Sequence, residues 1–356
     1  MDLSYEKKER KTEIYQMYQE IFEDPEEFAR YYFEEIYPGN RVLTAQEHGE
    51  IRGMIHLNPY KVRAGRKDWT LHYIVAVAVR EQYRRQGIMA QMLERCLNDM
   101  AQKGEPFTYL MPADRAYYEP FGFVFIMDWT EAQVRGEKTE KQGVIMAADE
   151  KDYDEISDFL EEFLKKFRVY TVPDQAYLER TQRESQSSDG SLMVWRKEGA
   201  LRGVFAEGKE DDDVFLRWAF SKEPEQMLTQ IKGRFPDRVI EITGGNISPG
   251  SQVPKIMARI TCLKAWEKIL KGRKNVSFRL NVEDPLIREN NGTFCFEAGF
   301  EGVKIRKERE DGDAQKILIE DLTRVFFGYE AEKILEQYPY LESIQPAEPV
   351  YISEEV

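Results

Sequence analysis

A polar, basic turn between an apolar strand and an amphipathic helix has the clearest chemical use of any segment in this chain. Ile74 to Val79 is an unbroken apolar run rich in β-branched residues, the composition of a strand covered on both faces. Arg80 to Gln86 follow as the turn, then Gly87, then a helix with Ile88, Met89, Met92, Leu93, Cys96, Leu97 and Met100 on one i, i+3, i+4 stripe. This order aims several backbone N–H groups and the positive end of the helix dipole at one spot, which suits a pyrophosphate. Taken alone, the segment has a second reading, an ordinary strand–loop–helix with solvated arginines. Further on, a strand at Thr108 to Pro112 leads to Ala116-Tyr117-Tyr118-Glu119-Pro120-Phe121-Gly122-Phe123. Phe121 and Phe123 read as core aromatics. Tyr118 is either a third core ring or a phenol held for chemistry.

Together the two stretches resemble the GNAT superfamily of N-acetyltransferases. Arg84-Arg85-Gln86-Gly87-Ile88-Met89-Ala90 resembles its acetyl-CoA loop, R/Q-x-x-G-x-G/A, with Met89 where the pattern prefers Gly or Ala. Tyr118 to Phe123 resembles its Y-x-x-F-G-F/Y signature, and the spacing between the two resembles the Eis subfamily (enhanced intracellular survival proteins). The resemblance implies that Arg84, Arg85, Gln86, Gly87, Ile88, Met89 and Ala90 bind acetyl-CoA as co-substrate, and that Tyr118 is the general acid. The strand backbone at Val77 and Val79 would then hydrogen-bond the cofactor and polarise its thioester carbonyl. In Eis-like proteins the chain ends inside the active site, so the resemblance assigns an amine-orienting carboxylate to Val356, with Glu355 beside it. A solvated acidic tail is the other reading, although Val350, Tyr351 and Ile352 are residues such a tail does not need.

The magnitudes limit the roles. A primary amine of pKa ~10.4 needs ~4.6 kcal/mol to expose its lone pair at pH 7, and a terminal carboxylate of pKa ~3.5 is too weak a base to take that proton directly. Holding the cationic amine, and receiving a proton after attack, fits it better. On the leaving side, a phenol near pKa ~10 can protonate a thiolate whose conjugate acid lies near ~8.5. A direct transfer without an acetyl-enzyme follows.

The elements that must position these groups fall into three blocks, as expected of 356 residues. Residues 1–142 begin with helices at Thr12–Ile21 and Pro25–Tyr37, then paired strands near Arg41–Gln46 and Ile51–Val62, then the cofactor strand and helix; Gly136 to Gly143 reads as a linker. Residues 143–250 repeat that architecture without a cofactor loop: helices at Asp149–Phe167, Asp174–Glu184 and Pro224–Arg234, and strands at Leu192–Arg196, Ala200–Ala206, Val214–Ala219 and Arg238–Thr243. Residues 251–356 open with a short strand and a helix in MARITCLKAWEKIL. Alternating strands follow, then a strand at Ile317–Leu322 overlapping a helix at Asp321–Gln337. Asp284-Pro285, Asn290-Asn291-Gly292 and LTRVFFGYEAEKIL resemble the sterol-carrier-like C-terminal domain of Eis proteins. The fold class is α/β (α+β): tandem GNAT folds with mixed central sheets flanked by helices, then a sterol-carrier-like α/β domain.

Composition narrows the partners. The formal charge of −14 argues against nucleic acid and suits a cationic acceptor such as an aminoglycoside, a polyamine or a lysine-like amine. It also serves solubility alone. Phe22, Glu23 and Asp24 lie between the first two helices, where GNAT folds often line the acceptor cleft; Asp24 reads better as the cap of the helix at Pro25. Three scattered cysteines argue for a reducing cytoplasm and, with three scattered histidines, against a metal site. No run approaches the ~20 apolar residues of a membrane span. The resemblance implies a homo-oligomer, up to a hexamer. A lipid or small-ligand carrier, or a non-catalytic CoA-binding protein relying on the C-terminal domain, is the alternative.

Overall fold

A computed structural model describes residues 1–6, 8–210, 213–247, 250–309 and 312–354. The first unit opens with strand β1 (Asp2–Tyr5) and helix α1 (Lys11–Ile21), which buries Ile14, Met17 and Tyr18. Pro25 to Tyr37 is not one helix. Helix α2 (Glu26–Tyr31) widens into a π-helical turn at Tyr32–Ile36 and tightens into a 3-10 turn at Tyr37–Gly39. The wide turn keeps Tyr32, Phe33 and Ile36 all on the buried side, and such turns are rare enough that periodicity alone does not reveal them. Strands β2 (Arg41–Glu47), β3 (Glu50–Ala64) and β4 (Lys67–Val79) then form an antiparallel ribbon. Helix α3 (Ile88–Gln102) crosses over to β5 (Phe107–Leu110), and β6 (Val124–Arg135) ends the unit.

The second unit contains β7 (Val144–Ala147), α4 (Tyr153–Leu164), β8 (Val169–Thr171), α5 (Gln175–Gln186), β9 (Ser191–Lys197), β10 (Ala200–Glu210), β11 (Asp213–Ser221), α6 (Pro224–Arg234) and β12 (Val239–Gly245). Antiparallel pairing of β12 with β6, from Val239 opposite Arg135 to Thr243 opposite Glu131, fuses both units into one sheet of 14 strands among the described residues. Strand β13 (Ser251–Ile260) follows the second unit in sequence. Yet it returns to the first unit's sheet and lies between β5 and β6.

The last part is smaller. LKAWEK folds as a 3-10 segment, Leu263–Lys268, with Leu263 and Trp266 buried. Strand β14 (Lys271–Gly272) precedes a four-stranded sheet of β15 (Val276–Glu283), β16 (Gly292–Gly299), β17 (Gly302–Lys307) and β18 (Gln315–Leu318), in the order β17-β16-β15-β18. The expected Asp321–Gln337 helix is two: α7 (Ile319–Phe327) and α8 (Glu332–Gln337). Gly328 at φ +73° closes the first in a left-handed cap that other residues disfavour. Strand β19 (Ile344–Gln345) pairs with β14. The chain then re-enters the main core as β20 (Val350–Tyr351), parallel to β8.

Candidate active site

The turn after β4 is built to leave donors free. Gly87 is the N-cap of α3 at φ +76°, with no side chain capping the helix and no acidic residue in its first turn. A methyl group added at Gly87 would meet only Gln91 Nε2, 4.0 Å away, so the helix mouth opens outward. Arg84, Arg85 and Gln86 are exposed there; Arg84 Nε donates to the Val79 carbonyl at 3.1 Å, and Arg85 takes a left-handed φ of +63°. Ile88 is buried and anchors the first turn, while Met89 and Ala90 are half-buried. Arg80 is engaged differently, donating to the Ile51 carbonyl at 3.0 Å and to Glu20 at 2.7 Å. A helix mouth without a side-chain cap, two exposed guanidinium groups and the helix dipole make an anion cradle.

Next to it, the sheet comes apart. β4 and β5 run parallel but meet in register only at Tyr73 opposite Tyr109. Beyond that vertex, Ile74 to Val79 keep β3 as partner on one side. The same stretch carries a bulge. Met54 opposes Ala78 and His56 opposes Val75, so Ala76 and Val77 together face Ile55, with Ala76 at φ +48°. A bulge re-aims backbone groups out of the ladder, here at Val77, on the open side of the strand.

Tyr118 sits past the end of β5, between two 3-10 turns. Its ring packs edge-on to Phe123 at 5.9 Å. Burial pushes its hydroxyl up to about 12, so the phenol stays protonated at neutral pH and can act as an acid. Its loop is held from below by Arg259 of β13, whose Nε donates to the Phe121 carbonyl at 2.6 Å and whose Nη2 donates to Asp284 at 2.6 Å. Phe123 is in the core, as expected, and Phe121 is half-buried.

The described part of the tail, as far as Glu354, is packed rather than solvated. Trp129 Nε1 donates to the Ile352 carbonyl at 2.8 Å, Gly245 N–H donates to the Tyr351 hydroxyl at 3.0 Å, and the Ser353 and Tyr177 hydroxyls meet at 3.1 Å. Glu355 and Val356 lie outside the described residues. Glu354 is buried, and its charge couples to Tyr109, the residue at the vertex of the open strands. Sequence reasoning missed Glu354. The one available signal was the β-branched and aromatic triplet before it, which marks a strand whose next residues also go inward.

A cleft of about 890 Å³ lies between the α1–α2 segment and the face formed by α5, β10 and β11. Glu23, Glu27, Glu34 and Glu35 line one side, and Glu184 and Glu210 the other. Arg183 and Arg217 offset part of this charge through ion pairs with Glu35 and Glu184. Asp24 is in the wall but does not cap the helix, contrary to the expectation from sequence. The N-cap is Pro25, without a side-chain bond, and the Asp24 carboxylate accepts from the Tyr18 hydroxyl instead.

Residues 3–126 match the family described as "Acetyltransferase (GNAT) domain", and residues 264–349 match "Sterol carrier protein domain". No protein with a curated description matches the chain in sequence. Among solved structures, it is similar to a probable N-acyltransferase from Enterococcus faecalis at 16% identity, covering 97% of this chain and 93% of that one with TM-score 0.76. A GCN5-related N-acetyltransferase from Kribbella flavida is 14% identical over 100% of both chains, TM-score 0.75. Eis1 from Mycobacterium abscessus is 14% identical over 98% of this chain and 94% of that one, TM-score 0.65. No helix among the described residues is long and apolar enough to cross a membrane. The chain is an enzyme of the GNAT acetyltransferase type, its N-terminal third a GNAT domain and most of its C-terminal third a sterol carrier protein domain.

Proposed function

We propose that this enzyme is an Eis-type N-acetyltransferase that moves acetyl from acetyl-CoA directly to a primary amine of a cationic acceptor, an aminoglycoside, a polyamine or a lysine-like amine. The observation that carries the reading is the opening of β4 from β5 beyond Tyr73 and Tyr109, beside the uncapped mouth of α3. In it, Arg84, Arg85, Gln86 and the amides from Gly87 to Ala90 hold the diphosphate. The backbone at Val77 and Val79 aligns and polarises the thioester carbonyl. The acidic cleft collects the ammonium group and concentrates it against a solvent background. Tyr118 gives its proton to the departing thiolate; the dry surroundings that strengthen the phenol's hold on its proton make the thiolate more basic as well. The Val356 carboxylate orients the amine. Residues 1–142 act as the catalytic unit, 143–250 as the far wall of the cleft, and 251–356 as support for the Tyr118 loop. The protein works in the cytoplasm as a homo-oligomer.

The test is thiol release from acetyl-CoA with a panel of polyamines, aminoglycosides and lysine peptides. Turnover with at least one multi-amine is expected, and Tyr118→Phe should lower kcat about 100-fold or more with little change in KM. Full turnover in Tyr118→Phe, with chemistry rate-limiting, would remove the acid role. Absence of acetyl-CoA binding by calorimetry would sink the enzymatic reading and favour a carrier.

A further inference from the structure

The tail brings one more ionisable group into the interior than this chemistry has used. Glu354 is 3% exposed, and neither of its carboxylate oxygens completes a hydrogen bond among the described residues. Burial pushes it up to about 7, against the pull of the Thr171 hydroxyl on β8, the Arg180 guanidinium on α5 and the tail's own amides. Phenols crowd it from three elements: Tyr60 on β3, Tyr109 on β5 and Tyr177 on α5, with Tyr351 three residues before it in the tail. All four are pushed above their ordinary range, Glu354 adding to the effect of burial, so they stay neutral at working pH.

Beside the carboxyl lies a cavity of about 10 Å³, bounded by Glu354, Ser353, Arg180 and Trp218, a space of one water molecule. Its remaining walls include Glu184 and Arg217, an ion pair that also lines the acidic cleft. Glu184 and Arg217 are thus walls common to the small cavity beside Glu354 and the acidic cleft.

We propose that Glu354 is the proton acceptor for the substrate's ammonium group, reached from the acidic cleft through the single-water cavity. This rests on the amine-acetylation reading above. An ammonium N–H bond breaks, and its proton passes through water to the Glu354 carboxylate. The freed lone pair forms the C–N bond to the acetyl carbon. The C–S bond breaks, and the thiolate takes the phenolic proton of Tyr118. The second proton on the new nitrogen goes to the tyrosinate, and Glu354 returns its own to solvent, which accounts for the one proton the reaction releases. An anchor for the tail would need no such cavity.

The experiment compares the parent with Glu354→Gln across pH 5.5 to 9.5, at saturating acetyl-CoA and with a multi-amine that the parent acetylates. A rising limb near neutrality is expected in the parent. The variant should lose about 100-fold at pH 7, a deficit that shrinks roughly tenfold per pH unit as the amine deprotonates unaided. A variant with the parent's profile, or with the same loss at every pH, would overturn the assignment and leave only an anchor. Infrared difference spectra of the parent, alone and without turnover, give a second reading. The protonated carboxyl band assigned by the Gln variant should disappear between pH 6 and 8; its loss below pH 5 would also overturn the proposal. A parent inactive on every amine would instead sink the underlying activity, and the proton role with it.

Discussion

A carboxyl group shut away from water makes folding depend on pH. Glu354 is held near 7 in the fold against an ordinary 4.5. The native state therefore binds a proton that the unfolded chain has released between those values. Its contribution is fully present below about pH 4.5 and is lost as pH rises through about 7, a change of ~3 kcal/mol if the whole shift counts. Denaturant titrations at pH 5 and pH 8 should show Glu354→Gln gaining on the parent at the higher pH. Equal pH slopes in the two proteins would contradict this. Gly87 is the other residue whose chemistry is set by its backbone. At φ +76°, a Cβ costs on the order of 1 kcal/mol, and relief of that strain would turn the amides of the helix mouth. Gly87→Val should weaken acetyl-CoA binding in calorimetry at least tenfold, with little change in melting temperature.

Between elements, the strongest link to the site is β13. Arg259 and Asp284 pair at 2.6 Å with both side chains fully buried. The other bonds of the pair are spread widely. Arg259 also donates to the carbonyls of Phe121 and Ile260, while Asp284 accepts from Asn290 and from the amides of Leu286 and Ile287. One ion pair thus joins the sterol carrier portion to the loop that carries Tyr118. Removing one partner of such a pair leaves an uncompensated charge and costs about 3–5 kcal/mol. Asp284→Ala should show that loss in urea unfolding. Arg259→Met leaves the Asp284 carboxylate buried without its cation, though still accepting from Asn290 and two amides, so stability falls here too, and the Phe121 carbonyl loses its donor. On the proposed role of Tyr118 as acid, the variant's kcat should drop more than its KM rises, because loop position would matter most when the thiolate leaves. An Arg259→Met enzyme with parental kcat would break this link.

Across the whole molecule, one sheet carries two GNAT-like units of which a single one is open. β11 repeats the bulge of β4, with Trp218 at φ +37°. It nevertheless stays paired with β12 as far as Ala219 opposite Gly245. The Tyr351 hydroxyl takes the Gly245 amide, beside that bulge. The tail therefore seals the second unit, lies along β8, and delivers Glu354 toward the vertex of the first. Ending the chain at Pro349 would strip Ile352 from the core, along with Val350 and Tyr351, at about 1.5–3 kcal/mol for each side chain fully buried. Calorimetry should find the shortened protein melting well below the parent. An unchanged melting temperature would mean that the tail only rests on a finished fold.

Local chemistry made much of this protein legible from its sequence. The stripe of α3, the Gly87 turn, the β-branched run of β4 and the bounds of α6 depend on neighbours within a few residues, where periodicity and backbone preference act directly. The short range of those effects also marks what stayed hidden. Nothing near Ser251 to Ile260 shows that the strand returns between β5 and β6, and no local rule separates β4 from β5 past Tyr73. Asp24 looked like a cap because caps are local; the Tyr18 hydroxyl that claims it arrives by tertiary packing. Glu354 is the sharpest case, an acidic residue third from last in the sequence. Only the closure of β8, α5 and the first unit's sheet around it removes its water, and with that water its ordinary acidity.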